Sequence, residues 1–183
     1  MYVYRAGAGS KDSARVVEML PSINIELKHD SDGLQIMLLN GEDVSDDIRL
    51  PAISVYASDV SAIPEVRQFL LGAQRELAMR SSVIMDGRDI GTVVLPDARL
   101  KIFLTATAEE RAGRRFAELT EKGTKTTFEE VLKDLNYRDM NDSARTLAPL
   151  KPAPDAIILD TTGNTLDLSF ELLSGIISEC FNI

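Results

Sequence analysis

The spacing of apolar and polar residues in the first part of the chain predicts short helices and one hairpin. DSARVVEML clusters its apolar side chains with helical spacing, so we expect a short helix there. INIELKH and LQIMLLNG then alternate apolar and polar residues on either side of a polar turn, which predicts a small antiparallel sheet. The helical pattern that follows is interrupted at Pro51 and at Pro64.

From Ser81 onward the pattern changes to short, nearly continuous apolar runs. SSVIM, LKIFLTA and DAIILDTT have the length and composition typical of strands buried on both faces. Two charged helices around a turn at Gly123 lie between the last two runs, and an amphipathic helix is the final predicted element. Strands that alternate with helices predict an α/β fold with a parallel sheet, on which the earlier hairpin is an insertion.

The composition is that of an ordinary globular protein with an excess of negative charge. The 183 residues are 44% hydrophobic, with a formal net charge of −9 and an isoelectric point near 4.7. This charge repels polymeric nucleic acid and anionic membranes, so an anionic ligand has to be held by local arginines. Cys180 and His29 are the single residues of their types, which excludes a disulfide framework and argues against a His/Cys metal site. We expect a cytoplasmic protein without a membrane span.

RAGAGSKDS contains the ingredients of a phosphate-binding loop in the wrong order. Such a loop needs G-x-x-x-x-G-K-[ST], in which backbone N–H groups wrap the phosphates and the hydroxyl meets magnesium. Here Arg5 replaces the first glycine, Lys11 follows a serine, and Asp12 takes the place of the hydroxyl. The preceding MYVYR predicts one short strand at most, whereas a phosphate loop joins a buried strand to a helix. The spacing favours a solvated turn before a helix.

The loop MDGRDIGT follows the first predicted parallel strand, and ligands of parallel sheets bind beyond the carboxyl ends of the strands. Gly87 permits a tight turn, Arg88 offers a bidentate donor for phosphate, and Asp89 offers two acceptors for an exocyclic amine or a sugar hydroxyl. An Asp-Gly turn with a surface ion pair has the same spacing. Both interpretations stay open on spacing alone.

Arginines are concentrated on the two charged helices. On the first helix, the i, i+3 and i+4 spacing places three arginines on neighbouring positions of one face: Arg111, Arg114 and Arg115. On the second helix, the i, i+4 and i+7 spacing does the same for Arg138, Asp142 and Arg145. Solvated faces with ordinary ion pairs are the usual explanation of one charged helix. Two such helices, joined by a glycine turn between core strands, favour a mobile lid that closes over phosphates.

Several segments closely resemble the bacterial cytidylate kinases, members of the nucleoside monophosphate kinase group. They are IPEVR, MDGRDIGTVVLPDARLKIFLTAT, RAGRRFAEL and RDMNDSARTLAPLKPAPDAIILDTT, together with NGEDVSDDIR, which is similar to an insertion of the bacterial enzymes. The resemblance begins near Ala14, and DGRDIGT with RDxxDSxR is specific for the family. It implies a P-loop kinase-like parallel sheet with helices on both faces, a small antiparallel insertion that binds the nucleoside monophosphate (NMP), and a helical lid.

The activity implied by this resemblance is phosphoryl transfer in pyrimidine nucleotide metabolism. ATP, with Mg²⁺, would phosphorylate CMP or dCMP to CDP or dCDP. The partners would be these small molecules alone, without a nucleic acid polymer or a membrane.

Carried over residue by residue, the resemblance implies that Ser58, Arg67 and Asp89 read the cytosine base. The chemistry agrees, because cytosine presents one amine donor and two acceptors, which need a carboxylate and donors such as arginine and serine. Arg88 would hold the CMP phosphate, with Arg138 and Asp142 at the pentose and phosphate region. The remaining implied site residues are Arg111, Arg114, Arg115 and Arg145, which would neutralise charge on the transferring group, and Tyr4 and Arg5, which would lie at the CMP phosphate.

The resemblance also implies that the phosphate loop is missing. In the family the loop precedes the tyrosine-arginine pair that Tyr4 and Arg5 match, so RAGAGSKDS lies downstream of it. We therefore expect an N-terminally truncated chain that lacks the first strands of the sheet, a βαβ unit of roughly 30 residues or more. Such a chain would be association-prone, whereas the complete protein would be a monomer.

These implications predict three regions. They are a residual N-terminal core segment at 1–20, the NMP-binding insertion with its following helices at 21–80, and a core with a lid at about 109–145 within 81–183.

Two alternatives to a (d)CMP kinase stay open. A non-catalytic CMP-binding fragment or pseudokinase is favoured for this chain by the absence of the phosphate-loop lysine. A UMP or AMP kinase of the same fold is disfavoured by Asp89, Arg67 and Ser58, which suit cytosine.

Overall fold

The computed structural model describes all 183 residues, and the chain forms two compact units, Met1–Ser82 and Val83–Ile183. The elements of the first unit are α1 (Tyr2–Arg5), α2 (Ser13–Met19), β1 (Ile25–His29), β2 (Gln35–Leu39), β3 (Glu42–Asp43), α3 (Pro51–Val60) and α4 (Pro64–Arg80). Those of the second unit are β4 (Ile102–Thr105), α5 (Ala108–Glu121), α6 (Phe128–Ser143), β5 (Ile157–Asp160) and α7 (Leu166–Phe181). Short 3₁₀ turns cover Leu20–Ser22 and Asp47–Arg49, and a π-helical turn covers Ile90–Val94.

The predicted hairpin of the first unit is confirmed as β1 and β2, which pair antiparallel, with β3 on the other edge of β2. Its turn is held by Asp30, whose carboxylate accepts hydrogen bonds from the backbone N–H groups of Asp32 at 2.9 Å and Leu34 at 2.8 Å. Gly33 adopts a positive φ of 79°, a conformation with little steric cost for glycine because it has no Cβ. Local turn chemistry therefore fixes the register of this sheet.

Capping residues and prolines set the helix boundaries of the first unit. Asp12 caps α2 by accepting a hydrogen bond from Arg15 N at 3.1 Å. Pro51 and Pro64 each stand at the start of a helix, where the missing N–H of proline has no intrahelical partner to lose. The helices pack around a small apolar core made of Val3, Ala8, Val16, Met19, Ile63 and Val66.

The second unit contains a two-stranded parallel sheet and a helical hairpin. β4 and β5 run parallel in register from Ile102↔Ile157 to Thr105↔Asp160, which confirms the α/β class and two of the predicted strands. Gly123 turns the chain at a φ of 71° between α5 and α6. At the start of α6, Thr127 and Glu130 form a reciprocal capping box. The two helices share an apolar core of Ala112, Leu119 and Val131, with the Phe116 and Phe128 rings edge-to-face at 6.5 Å.

Two sequence predictions are wrong. SSVIM does not form a strand: it pairs with neither β4 nor β5, and Ile84 is 96% exposed. MYVYR forms the helical turn α1, in which Arg5 N donates to Met1 O at 3.0 Å and Val3 packs into the core of the first unit. A short apolar run becomes a strand only when a neighbouring strand takes up its backbone hydrogen bonds, and neither run has such a neighbour.

No helix of the structure combines the length and the apolar composition needed to cross a lipid bilayer.

The position of Ile84 gives a direct test of this correction. Replacing Ile84 with alanine should change the free energy of unfolding by less than about 0.5 kcal/mol, because the side chain already contacts solvent. Leu119→Ala, at a site 5% exposed in the core of the second unit, serves as the control and should cost about 2–5 kcal/mol. Urea denaturation of both variants makes the comparison. If both substitutions lowered the free energy of unfolding by a similar amount, Ile84 would be buried, as the prediction of a SSVIM strand requires.

Candidate functional site

The centre of the candidate site in the second unit is a buried carboxylate between two arginines. Asp142, in the last turn of α6, has a side chain only 3% exposed. Its Oδ2 accepts a hydrogen bond from Arg88 Nε at 3.0 Å, and its Oδ1 accepts one from Arg145 Nη2. The Arg145 side chain is 5% exposed and that of Arg88 is 41% exposed. The structure thus joins the MDGRDIGT loop to the RDxxDSxR segment.

A third arginine adds positive charge beside this carboxylate. Arg138 lies one helical turn before Asp142, and its Nε is buried without a hydrogen-bond partner. Burial lowers the pKa of Arg138, and the positive charges of Arg88 and Arg115 lower it further, whereas Asp142 and Asp139 raise it. A guanidinium ion in such surroundings gains from an added anion, so the cluster suits a phosphate group.

Asp89 occupies the start of the π-helical turn that follows Arg88. Its carbonyl accepts hydrogen bonds from the backbone N–H groups of Thr92 at 3.3 Å and Val93 at 2.8 Å. A Cβ at Gly87 would approach Ile90 Cγ1 to 2.8 Å, so this position favours glycine. The turn leaves the Asp89 side chain half-buried, and nothing in the residue spacing pointed to a π-helical turn here.

The arginines of α5 have separate partners. Arg111 donates from Nε to Ala106 O at 3.0 Å and from Nη2 to Asp139 Oδ2 at 2.6 Å, which links the end of β4 to α6. Arg115 donates to Glu118 Oε2 at 2.6 Å within its own helix. Asp139 was not singled out from the sequence, although it lies within the RDxxDSxR segment.

Arg114 is bonded to the turn after β5. Its guanidinium donates to Thr161 O at 2.6 Å, Thr161 Oγ1 at 3.2 Å, Asn164 O at 3.3 Å and Glu110 Oε1 at 3.0 Å. Thr161 Oγ1 donates in turn to Thr105 O at 3.0 Å, so the network reaches the end of β4. Thr161 was missed from the sequence, and its place directly after an apolar strand was the available signal.

In the first unit, Ser58 and Arg67 are brought together by Ser61. Ser58, in α3, is 5% exposed, and its carbonyl accepts a hydrogen bond from Ser61 Oγ at 2.9 Å. Arg67, in α4, donates from Nη1 to Ser61 O at 3.2 Å. Asp89, the third predicted base-reading residue, belongs to the second unit.

Tyr4 and Arg5 are both engaged within the first unit. The Tyr4 ring packs edge-to-face on Tyr56 at a centroid distance of 5.2 Å. Arg5 forms ion pairs with Glu42 at 2.7 Å and Asp47 at 2.8 Å. A phosphate bound by Arg5 would have to compete with these two carboxylates.

The RAGAGSKDS stretch does not fit a site for ATP phosphates and Mg²⁺. Ser10 Oγ donates to Asp59 Oδ2 at 2.6 Å, and the carboxylate of Asp12 caps α2. The stretch follows a helix instead of a strand, and the predicted turn before a helix is confirmed. The structure also contains no group of three or more His, Cys, Asp or Glu residues placed to hold a metal ion.

A parallel α/β sheet with an arginine cluster around one buried carboxylate defines a class of protein suited to phosphorylated ligands. Comparison with protein families gives the finer assignment, since the family model described as cytidylate kinase matches residues 1–178. The chain belongs to the cytidylate kinase family, which is a family of enzymes.

Curated relatives agree with this assignment. A protein of Caldicellulosiruptor saccharolyticus named cytidylate kinase is 52% identical over 165 residues, which are 90% of this chain and 73% of the relative. Cytidylate kinases of Caldanaerobacter subterraneus and Streptococcus pyogenes are 50% and 48% identical, over 89% and 88% of this chain and 70% and 71% of their own lengths.

The contacts of Arg114 predict a stabilising role for this side chain. Arg114→Ala should lower the free energy of unfolding by about 1–3 kcal/mol, because the carbonyl groups of the turn after β5 lose a charged donor. Lys122→Ala, at the C-cap of α5, is the matched control: its ion pair with Glu118 is exposed, and its loss should cost less than about 0.5 kcal/mol. Chemical denaturation measures both. Equal stability of the two variants would show that the Arg114 network contributes nothing to folding.

Proposed function

We propose that the protein catalyses phosphoryl transfer from ATP to CMP or dCMP, yielding ADP and CDP or dCDP in pyrimidine nucleotide metabolism. Family membership supports the reaction class, and the names of the relatives support the substrate. The structural observation that carries the proposal is the convergence of Arg88 and Arg145 on buried Asp142, with Arg138 beside them.

The charge balance of this cluster supports a role in binding the monophosphate. The guanidinium groups of Arg88, Arg138 and Arg145 lie close to the buried carboxylate of Asp142, so these four residues together carry a net positive charge. We assign Arg88 to the CMP phosphate and Arg138 with Asp142 to the pentose and phosphate region. A phosphate oxygen would supply an acceptor for the Nε–H group of Arg138, which is buried without a hydrogen-bond partner.

We assign recognition of the base to Ser58, Arg67 and Asp89. The cytosine amine donates to a carboxylate, whereas uracil presents a carbonyl oxygen at the same position and would be repelled by it. Ser58 and Arg67 supply donors for the two cytosine acceptors. This assignment favours CMP over UMP and AMP.

The remaining arginines are assigned to the transferring phosphoryl group. Phosphoryl transfer depends on positioning and on stabilising the charge spread over the phosphoryl oxygens. Arg145 is the best supported of these, since it lies in the cluster with Arg88. Arg111 and Arg115 sit on α5 with ion pairs that a phosphate could replace, while Arg114 would first have to leave the turn after β5. We also retain Tyr4 and Arg5 as proposed contacts of the CMP phosphate.

The phosphoryl donor is proposed to be ATP, accompanied by Mg²⁺. Residues 1–183 contain no G-x-x-x-x-G-K-[ST] pattern, and RAGAGSKDS does not fit the role. We therefore propose that the phosphate loop of the active kinase lies outside these residues. The second candidate function for the 183-residue chain is CMP binding without transferase activity. The absence of the G-x-x-x-x-G-K-[ST] pattern from these residues favours it.

Selectivity for the base tests the assignment of Asp89. Asp89→Ala should remove most of the preference for CMP over UMP, because the site loses a hydrogen bond to the amine worth about 1–3 kcal/mol. Asp86→Ala, at an exposed position in the same loop, is the matched control and should leave the preference intact. Calorimetric titration with both nucleotides measures the ratio. An unchanged ratio in the Asp89 variant would exclude this residue from base recognition.

The activity of residues 1–183 alone tests the proposal on the phosphate loop. We expect CMP-dependent ADP release near the background rate, because the loop that positions the β and γ phosphates is not among these residues. A chimera that adds the phosphate-loop segment of a relative should restore turnover. Sedimentation velocity on the same samples checks for association, which we also expect from the exposed side chains of Leu104, Ile157 and Ile158. Robust turnover by a monomeric 183-residue chain would contradict the proposal.

A further inference from the structure

We infer that Lys101 is a positioning residue, whose aliphatic stem supports the π-helical turn Ile90–Val94 and so holds Asp89 in place for base recognition. This inference rests on the base-reading role proposed above for Asp89 and adds to it a residue that acts through the backbone of the turn.

The backbone of Gly91, within this turn, lies directly against the Lys101 side chain. A Cβ placed on Gly91 would come within 3.3 Å of Lys101 Cδ, 3.5 Å of its Cγ and 3.6 Å of its Cβ. The first of these distances is shorter than ordinary van der Waals contact between carbon atoms, so a methyl group here would push the turn or the stem aside. Glycine thus permits the close approach of the turn to the stem.

The stem has little freedom to give way, because both ends of Lys101 are held. Its side chain is only 9% exposed, and its Nζ forms an ion pair with Asp155 Oδ2 at 2.6 Å. Its backbone carbonyl accepts a hydrogen bond from Ile157 N at 2.9 Å, next to the first residue pair of β4 and β5. An enclosed stem with a bonded ammonium group is a firmer support than a lysine that extends into solvent.

The turn is joined directly to Asp89. The Asp89 carbonyl accepts hydrogen bonds from the backbone N–H groups of three residues in the turn, Thr92, Val93 and Val94. The last of them is 3% exposed, so the turn is also packed into the unit. A displacement of the turn at Gly91 would therefore displace Asp89 as well.

Packing and charge predict different effects of replacing Lys101. If the stem supports the turn, Lys101→Met should retain the preference for CMP over UMP, because methionine keeps most of the stem and loses only the ammonium group. If the positive charge of Lys101 acts on the site instead, methionine and alanine should reduce the preference equally. Asp155 tolerates the loss of its partner, since its side chain is 63% exposed and water can bond to it.

The test is calorimetric titration of the 183-residue chain with CMP and with UMP. We expect Lys101→Ala to lower the ratio of the two affinities by about fivefold or more and Lys101→Met to leave it within about twofold. Lys133→Ala, at an exposed position on α6, is the matched control and should not change the ratio. An unchanged ratio in Lys101→Ala, or equal losses in the alanine and methionine variants, overturns the inference.

Substitution of Gly91 tests the same contact from the other side. The φ of Gly91 lies outside the left-handed region, so alanine is strained there by the contact with the stem and not by its backbone conformation. Gly91→Ala should therefore lower the ratio, whereas Gly175→Ala, with open space around its Cβ in α7, should not.

Combining the two substitutions should restore part of the preference. With Lys101→Ala in place, the nearest remaining atom to the new methyl group of Gly91→Ala is the Cβ of residue 101 at 3.6 Å, an ordinary contact. The double variant should then keep more of the preference for CMP than either single variant. Additive losses overturn the inference.

Asp89→Ala in the same titrations separates failure of this inference from failure of the proposed function. A parent chain without a preference for CMP, or an Asp89→Ala variant that keeps the preference, refutes both. A preference that is lost in Asp89→Ala but intact in Lys101→Ala and Gly91→Ala refutes the inference alone. If thermal unfolding shows that Lys101→Ala does not fold, Gly91→Ala decides in its place, since a reduced ratio supports the inference and an unchanged ratio overturns it.

Discussion

The chemistry of the second unit depends on the ion pairs of one buried carboxylate. Taking an ionised aspartate out of water costs several kcal/mol, and only well-placed cations offset that cost. Arg88 and Arg145 meet this requirement at Asp142, so the loop after Met85 and the end of α6 have to come together for the unit to fold with its charges paired. Folding of this part of the molecule therefore also forms the proposed anion site.

Local signals account for most of the elements that the sequence predicted correctly. Period-two alternation and an aspartate-glycine turn gave the β1–β2 hairpin, while prolines and glycine set the boundaries of α3 and α4 and the turn of the α5–α6 hairpin. SSVIM and MYVYR were misassigned because a short apolar run has the same sequence whether or not another strand lies beside it. Strand pairing depends on residues that are distant in sequence, so the local pattern of apolar residues does not predict it.

The candidate site was predictable to the same extent. The i, i+4 and i+7 spacing on α6 and the position of MDGRDIGT pointed to the arginines that meet at Asp142. The partners of Arg5, and those of Arg114 beyond its own helix, were not predictable, because they lie 37 to 50 residues away along the chain. The sequence does not tell an arginine that binds a ligand from one that stabilises a loop, because only the contacts in the folded chain distinguish the two roles.

The anchoring of α5 at its first turns has a mechanical consequence for the helical hairpin. Arg111 and Arg114 bond to carbonyl groups beyond the ends of β4 and β5, so a swing of the whole hairpin about its base would break charged hydrogen bonds at both strands. Bending farther along, from Phe116 onward, would break none of them, and there α5 and α6 share their own apolar core. The base of the hairpin is therefore rigid and its tip is more flexible. Amide hydrogen exchange should accordingly be slow near Arg111 and faster near Gly123.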